Sequence, residues 1–119
     1  MDNLKLDELE IVVTRGSPTT IKWLGISQSR NPESAINPFF EALVDTLEGE
    51  KVVVDFTELE YMNSSTVSPI IMLCKNFDKK GIPTTIQFNG NSDWQLATFK
   101  GLSSLAKVMK HIEVEPVTP

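Results

Sequence analysis

Lys51-Val-Val-Val-Asp-Phe-Thr-Glu-Leu-Glu-Tyr-Met-Asn-Ser-Ser-Thr-Val-Ser-Pro-Ile-Ile-Met-Leu-Cys74 is the stretch on which the fold turns. Three consecutive valines without alternation read as a strand buried on both faces, at the centre of a sheet. Further on, Ile70, Ile71, Leu73, Cys74 and Phe77 recur at helical spacing, and Gly81 ends the stripe. Between strand and helix lie Asn63, Ser64, Ser65 and Thr66, with Ser68 close behind. One hydroxyl suffices for a helix cap, and Ser64 or Ser65 would serve by accepting from a free backbone N–H. A row of hydroxyls exceeds that need. At a helix N-terminus a phosphate on such a hydroxyl meets free N–H groups and the positive end of the helix dipole, and adds about two negative charges to the surface. Pro69 has no N–H for the carbonyl of residue 65, so regular helix is expected from Ser68–Pro69, with 64–67 a looser turn.

Working outward, Leu9–Thr14 and Thr19–Gly25 are apolar and β-branched around a Gly16-Ser-Pro18 turn signal, which predicts an N-terminal hairpin. Asn31 and Asn37 each precede a proline, so two helix starts are available. From Pro38 the residues Phe39, Phe40, Leu43, Val44 and Leu47 share one helical face, predicting a helix over 38–48 stopped by Gly49. Beyond the central helix, Ile82–Asn89 reads as a strand, and Ser92-Asp-Trp-Gln95 is a capping box opening a helix through Phe99 toward Gly101. Ser103 or Ser104 is placed to cap a last short helix through Lys110, and His111–Glu115 alternates as a final strand. Helices alternating with apolar strands give an α/β fold: one domain over 1–119, core 8–115, with a mixed sheet of about five strands and three to four helices.

Composition narrows the chemistry. The chain has 119 residues, 40% hydrophobic and 23% charged, with a formal net charge of −5. That sign opposes nucleic-acid backbones and anionic lipid surfaces, and the lysines at 75, 79 and 80 and at 100, 107 and 110 read as solvated helix faces. Neither a basic-plus-apolar leader nor a run of about 18 apolar residues is present, so a cytoplasmic protein without membrane insertion is expected. One cysteine and one histidine form no zinc ligand set, and neither common phosphate-binding glycine loop occurs, so no metal and no cofactor are expected. Cys74 reads as a buried thiol. Ser104-Leu-Ala-Lys107 matches Ser-x-x-Lys, but its companion motifs are missing and a helix cap is the simpler reading. A catalytic triad would have to recruit the lone His111 without a nucleophile elbow, so an enzyme is not expected; His111 is assigned to the last carbonyls of its own helix.

The run from Lys51 to Val67 resembles the signature of STAS domains, the sulphate-transporter and anti-sigma-factor-antagonist family: an apolar strand ending in Asp, an apolar-Met-Asp-Ser-Ser-Gly-Leu turn, and an amphipathic helix. The order of elements agrees over about residues 8 to 115. In the bacterial anti-anti-sigma branch the second serine is phosphorylated by a serine kinase that doubles as an anti-sigma factor, and a phosphatase reverses the modification. The resemblance puts that role on Ser65. A related group of bacterial biofilm-regulating phosphoproteins carries Asn-Ser/Thr-Ser and is modified on the hydroxyl directly after Asn, which is Ser64 here. Three departures stand out: Asn63 for Asp, Thr66 for Gly, and Pro69 early in the helix.

Two functions follow. The first is partner switching, a cytoplasmic signalling role in transcription regulation. The unmodified surface of Asn63, Ser64, Ser65, Thr66 and Ser68 docks on a partner, and a phosphate introduced into a desolvated interface ends the contact. The second is a constitutive binding subunit of a transport or signalling assembly, with the serines acting only as caps.

Overall fold

The computed structural model describes residues 3–119, so the first two residues of the expected 1–119 domain lie outside it. Among the described residues seven strands form one sheet: β1 (Leu4–Leu6), β2 (Leu9–Thr14), β3 (Thr19–Ser27), β4 (Val52–Asp55), β5 (Leu59–Met62), β6 (Thr84–Asn89) and β7 (Ile112–Val117). Their order is β1-β2-β3-β4-β6-β7, with β5 pairing β3 beyond the end of β4. The first three strands are antiparallel neighbours, and every later pairing is parallel. The α/β class and the mixed sheet are as the sequence indicates. Seven strands replace the expected five because β1 and β5 are too short to register as a period. In β5 the buried residues are Leu59 and Met62, while Glu60 and Tyr61 between them are exposed, so the alternation that marks a strand is broken.

Three helices follow: α1 (Glu33–Asp45), α2 (Val67–Lys79) and α3 (Asp93–Ala106). From β3 onward every crossover steps the same way across the sheet. Right-handed connections then put all three helices on one face. Burial alternates accordingly: Ile21, Trp23, Val52, Val54, Ile86 and Phe88 are buried, whereas Lys22, Val53, Asp55, Thr85 and Gln87 are half-buried. This corrects the reading of the valine run. β4 is central in the sheet, but Val53 looks out from the face that carries no helix. Under the helices Trp23, Phe40, Phe56, Phe77, Phe88 and Phe99 form a chain of ring contacts, with centroids 4.8 to 6.3 Å apart. Such pairs add roughly 0.5–1.5 kcal/mol each beyond their burial.

Helix boundaries differ from expectation for identifiable reasons. α1 starts at the first of the two candidate positions and runs through Pro38, because Ile36 before the proline and Phe40 after it are both buried against the core. It ends at Asp45, where the Thr46 hydroxyl donates to the Leu43 carbonyl at 2.7 Å, and Gly49 (φ +83°) belongs to the following turn. α2 ends as the glycine predicts. Gly81 (φ +69°) donates to Asp78 O at 3.0 Å and Ile82 to Phe77 O at 3.0 Å, the paired bonds of a Schellman motif. The two short helices expected after residue 92 are one. α3 passes through Gly101, and Ser104 sits inside it, its hydroxyl 3.5 Å from Lys100 O, so it caps nothing.

His111 is not bound to its own helix's carbonyls. Its backbone N–H donates to Asp78 Oδ1 at 2.9 Å, and its ring Nδ1 lies 3.1 Å from the same oxygen, tying the start of β7 to α2. Burial pushes the Asp78 carboxyl up, but these bonds outweigh it and hold the group below the usual carboxylate range. Cys74 is buried, and burial, with a smaller contribution from Asp78, pushes its thiol up to about 12. It is a thiol, not a thiolate, at neutral pH.

Candidate functional site

The chain leaves β4 through Asp55, whose Oδ1 accepts from the N–H and the hydroxyl of Thr57 at 2.8 and 2.7 Å. This turn swings the backbone onto the far half of β3, where β5 pairs with Gly25, Ile26 and Ser27. Gly25 makes the handover possible. Its φ is +85°, the register shifts beside it, and a Cβ there would collide with the carbonyl oxygen of Glu8. Sequence reading treats Gly25 only as part of an alternating strand.

At the end of β5 the chain enters a 3₁₀ turn over Ser64–Thr66 that runs directly into α2 at Val67. Regular helix therefore begins slightly before the expected Ser68–Pro69. Pro69 occupies the first turn of α2, where its missing N–H does no harm. Asn63 and Thr66 fix the turn. The Asn63 N–H donates to Ser27 O at 2.9 Å and its Nδ2 to Ser29 O at 2.9 Å, while Thr66 donates from its backbone to Asn63 O at 3.1 Å and from its hydroxyl to Asn63 Oδ1 at 2.8 Å. Ser27 Oγ, buried, lies 2.8 Å from Thr66 Oγ1. Because the Thr66 proton goes to Asn63, Ser27 is the donor in that last bond. The donor-acceptor chain Ser27 to Thr66 to Asn63 to Ser29 is complete and fastens the β3–α1 loop to the start of α2.

The five residues singled out by sequence thus divide. Asn63 and Thr66 hold the frame, and Thr66 is fully buried, so it lies beneath the surface of the turn and not on the expected docking surface. Ser64, Ser65 and Ser68 are exposed. Neither the 3₁₀ turn nor α2 has a side-chain cap, so Ser64 and Ser65 do not perform the capping role that would have explained them. Asn63 in place of Asp has a local cause: Nδ2 must donate to a carbonyl, which a carboxylate cannot do.

Beside the turn, between α2 and α3, opens an apolar cleft of about 200 Å³, lined by Met62, Val67, Ile70, Ile71, Phe99 and Leu102 among others. Of these, Val67 is exposed. Periodicity does not reveal this cleft, because its residues come from three elements and most of them are also core positions. Among the described residues no cluster of His, Cys, Asp and Glu is placed to hold a metal ion.

No protein-family model matches the sequence, and no curated protein is similar to it in sequence. Solved structures do match. The chain superposes on the anti-sigma factor antagonist SpoIIAA in its unphosphorylated form with a TM-score of 0.58 and 13% identity, covering 92% of this chain and 88% of that one. It also superposes on an uncharacterized protein of the DUF3478 family with a SpoIIAA-like fold, from Shewanella loihica, with a TM-score of 0.55 and 15% identity, covering 98% of this chain and 90% of the other. The fold is that of SpoIIAA.

Proposed function

We propose that the protein is a non-enzymatic partner-switching regulator, acting as a single cytoplasmic domain and controlled by reversible phosphorylation of Ser64 or Ser65. The observation that carries the reading is the pair of exposed hydroxyls, neither of them a helix cap, on a turn whose other polar side chains are all engaged. A serine kinase transfers the γ-phosphoryl group of a nucleoside triphosphate to the serine oxygen, and a phosphatase restores the hydroxyl. The unmodified turn and the adjoining cleft dock on the kinase, an anti-sigma factor or an output protein. Ser64, Ser65 and Ser68 make the contact, and Asn63 and Thr66 set its shape. A dianion at its centre opposes docking through charge and desolvation, which lowers occupancy by orders of magnitude. The fold shared with SpoIIAA, described there as an anti-sigma factor antagonist, supports the same reading. No helix among the described residues is long and apolar enough to cross a membrane.

The cleft also suits a constitutive binding subunit, because an apolar docking groove needs no phosphate. One experiment separates the two readings: intact-mass analysis of protein from its native cells before and after phosphatase treatment, with site localisation over 63–68, followed by capture of partners on each form. The expected result is a phosphoryl adduct on Ser64 or Ser65 and partners retained by the unmodified form alone. Partners retained equally by both forms would overturn the switch and leave the constitutive subunit.

A further inference from the structure

We infer that Arg30 is the internal receptor for a phosphate on this turn, pairing with phosphorylated Ser64 or Ser65 across the Asn63–Ser29 bridge. The inference rests on the proposed function and names how that site is regulated. Its basis is a set of fixed points. Asn63 Nδ2 is 2.9 Å from the carbonyl oxygen of Ser29, and the Asn63 N–H is 2.9 Å from that of Ser27. Arg30 directly follows one end of this bridge, and Ser64 directly follows the other. The Ser29 hydroxyl accepts from the Asn31 N–H at 3.2 Å, which turns the chain at Arg30 itself.

Arg30 is exposed, and among the described residues its side chain takes part in none of the hydrogen bonds or ion pairs of the molecule. Three other cations are less suited. Lys22 is held by Glu58 at 2.6 Å and Lys80 by Asp45 at 3.4 Å. Lys75 is eleven positions beyond Ser64, roughly 16 Å along a helical rise of 1.5 Å per residue. A guanidinium is also the right head group, since its planar fork gives two parallel bonds to a phosphate where an ammonium gives a point charge. The carboxylates of the neighbouring elements are Glu8, bonded to Gln28 at 3.5 Å, Glu33 at the start of α1, and the exposed Glu60 of β5. They oppose the phosphate, so the effect of Arg30 is read by difference. Pairing fastens the β3–α1 loop to the modified turn, and phosphorylation then changes the shape presented to a partner as well as its charge.

The test uses the full-length protein with phosphoserine incorporated during translation at position 64 or, separately, at 65. The phosphate's second ionisation is followed by phosphorus NMR against pH, with and without Arg30→Gln. The expected result, at one of the two positions or both, is an ionisation about half a unit to one unit lower with Arg30 present. The difference shrinks at high salt, and Arg30→Lys restores part of it. Identical titrations with and without Arg30→Gln at both positions would overturn the inference. Arg30 is exposed, so the substituted chain folds, and a thermal melt verifies that. Because the phosphate is installed synthetically, absence of phosphorylation in native cells would overturn the proposed function without altering this measurement.

Discussion

Two strand-to-helix turns in this molecule are both built of small residues opening on Asn, and they treat their hydroxyls in opposite ways. From β6 to α3 the chain reads Asn89-Gly-Asn-Ser92, and from β5 to α2 it reads Asn63-Ser-Ser-Thr66. In the first, Asn89 and Ser92 are bonded into the turn and the helix start, while the Asn91 side chain is exposed. Asn89 Oδ1 accepts from Asn91 at 2.8 Å, Asn89 O accepts from Ser92 at 3.2 Å, and Ser92 Oγ accepts from the Gln95 N–H at 3.4 Å. In the second, Asn63 and Thr66 are equally committed, but the two hydroxyls between them are turned outward without a capping bond. Composition alone does not distinguish a turn that caps its helix from one that does not. What distinguishes them is whether the hydroxyl at the helix start is taken up as a cap, as Ser92 is and Ser64 and Ser65 are not.

The strongest way to break the comparison is at Gln95. Its side chain is fully buried: Oε1 accepts from the Asn89 N–H at 2.7 Å, and Nε2 donates to Phe56 O at 2.8 Å and Leu59 O at 3.0 Å. Those partners fix the orientation of the amide. Gln95→Ala leaves a buried N–H and two carbonyls to find other partners and opens a cavity, so a loss of about 3–5 kcal/mol is expected in urea denaturation. A loss under about 1 kcal/mol would mean that the β6–α3 turn is not locked from within and that the contrast is false.

The next largest effect is expected at Asn63→Asp, which installs the residue that the STAS signature carries. One carboxylate oxygen then faces Ser29 O in place of an N–H donor, at a cost of about 1–3 kcal/mol at neutral pH. The sign of its pH dependence follows. The folded state raises the carboxyl's pKa above its unfolded value, so the penalty is absent below the ordinary Asp range, grows as pH rises through it, and levels off above the raised value. Parallel denaturation curves of the two proteins across acid pH measure the difference. A penalty independent of pH would remove the Asn63–Ser29 bond as its cause.

Legibility in the sequence follows the same division. The helices ending at Asp45 and Lys79 and the hairpin before them are periodic over several residues, the strand at Val52 is a continuous apolar run, and all of them are present. Ser92 and Gln95 were legible as a capping box, but only half of it forms. The Ser92 N–H is taken by Asn89 O, and the Gln95 side chain is drawn inward by carbonyls of residues 56 and 59, which lie far away in sequence. The hydroxyl row was legible because it exceeded what one cap requires. The bridge from Asn63 to Ser29 was not, since a bond spanning 34 positions depends on β5 lying alongside β3, and β5 itself carries no alternation. The one-sided placement of the helices follows from strand order, which three valines in a row do not encode.

The smallest expected effect is the one that sharpens the contrast most. Ser64→Ala and Ser65→Ala remove exposed hydroxyls that cap nothing, so each changes stability by no more than about 0.5 kcal/mol, where an N-cap serine would cost about 1 kcal/mol. Chemical denaturation of the two single variants and the double variant measures this directly. Near-neutral values leave the hydroxyls without a structural task, because stability then gives no reason for two serines where alanines would fold as well. A cost of 1 kcal/mol or more at either position would assign that serine to the frame, alongside Ser92, and hand the exposed role to its neighbour. The pair of values therefore reports which hydroxyl is spare, on the unmodified protein and independently of any kinase.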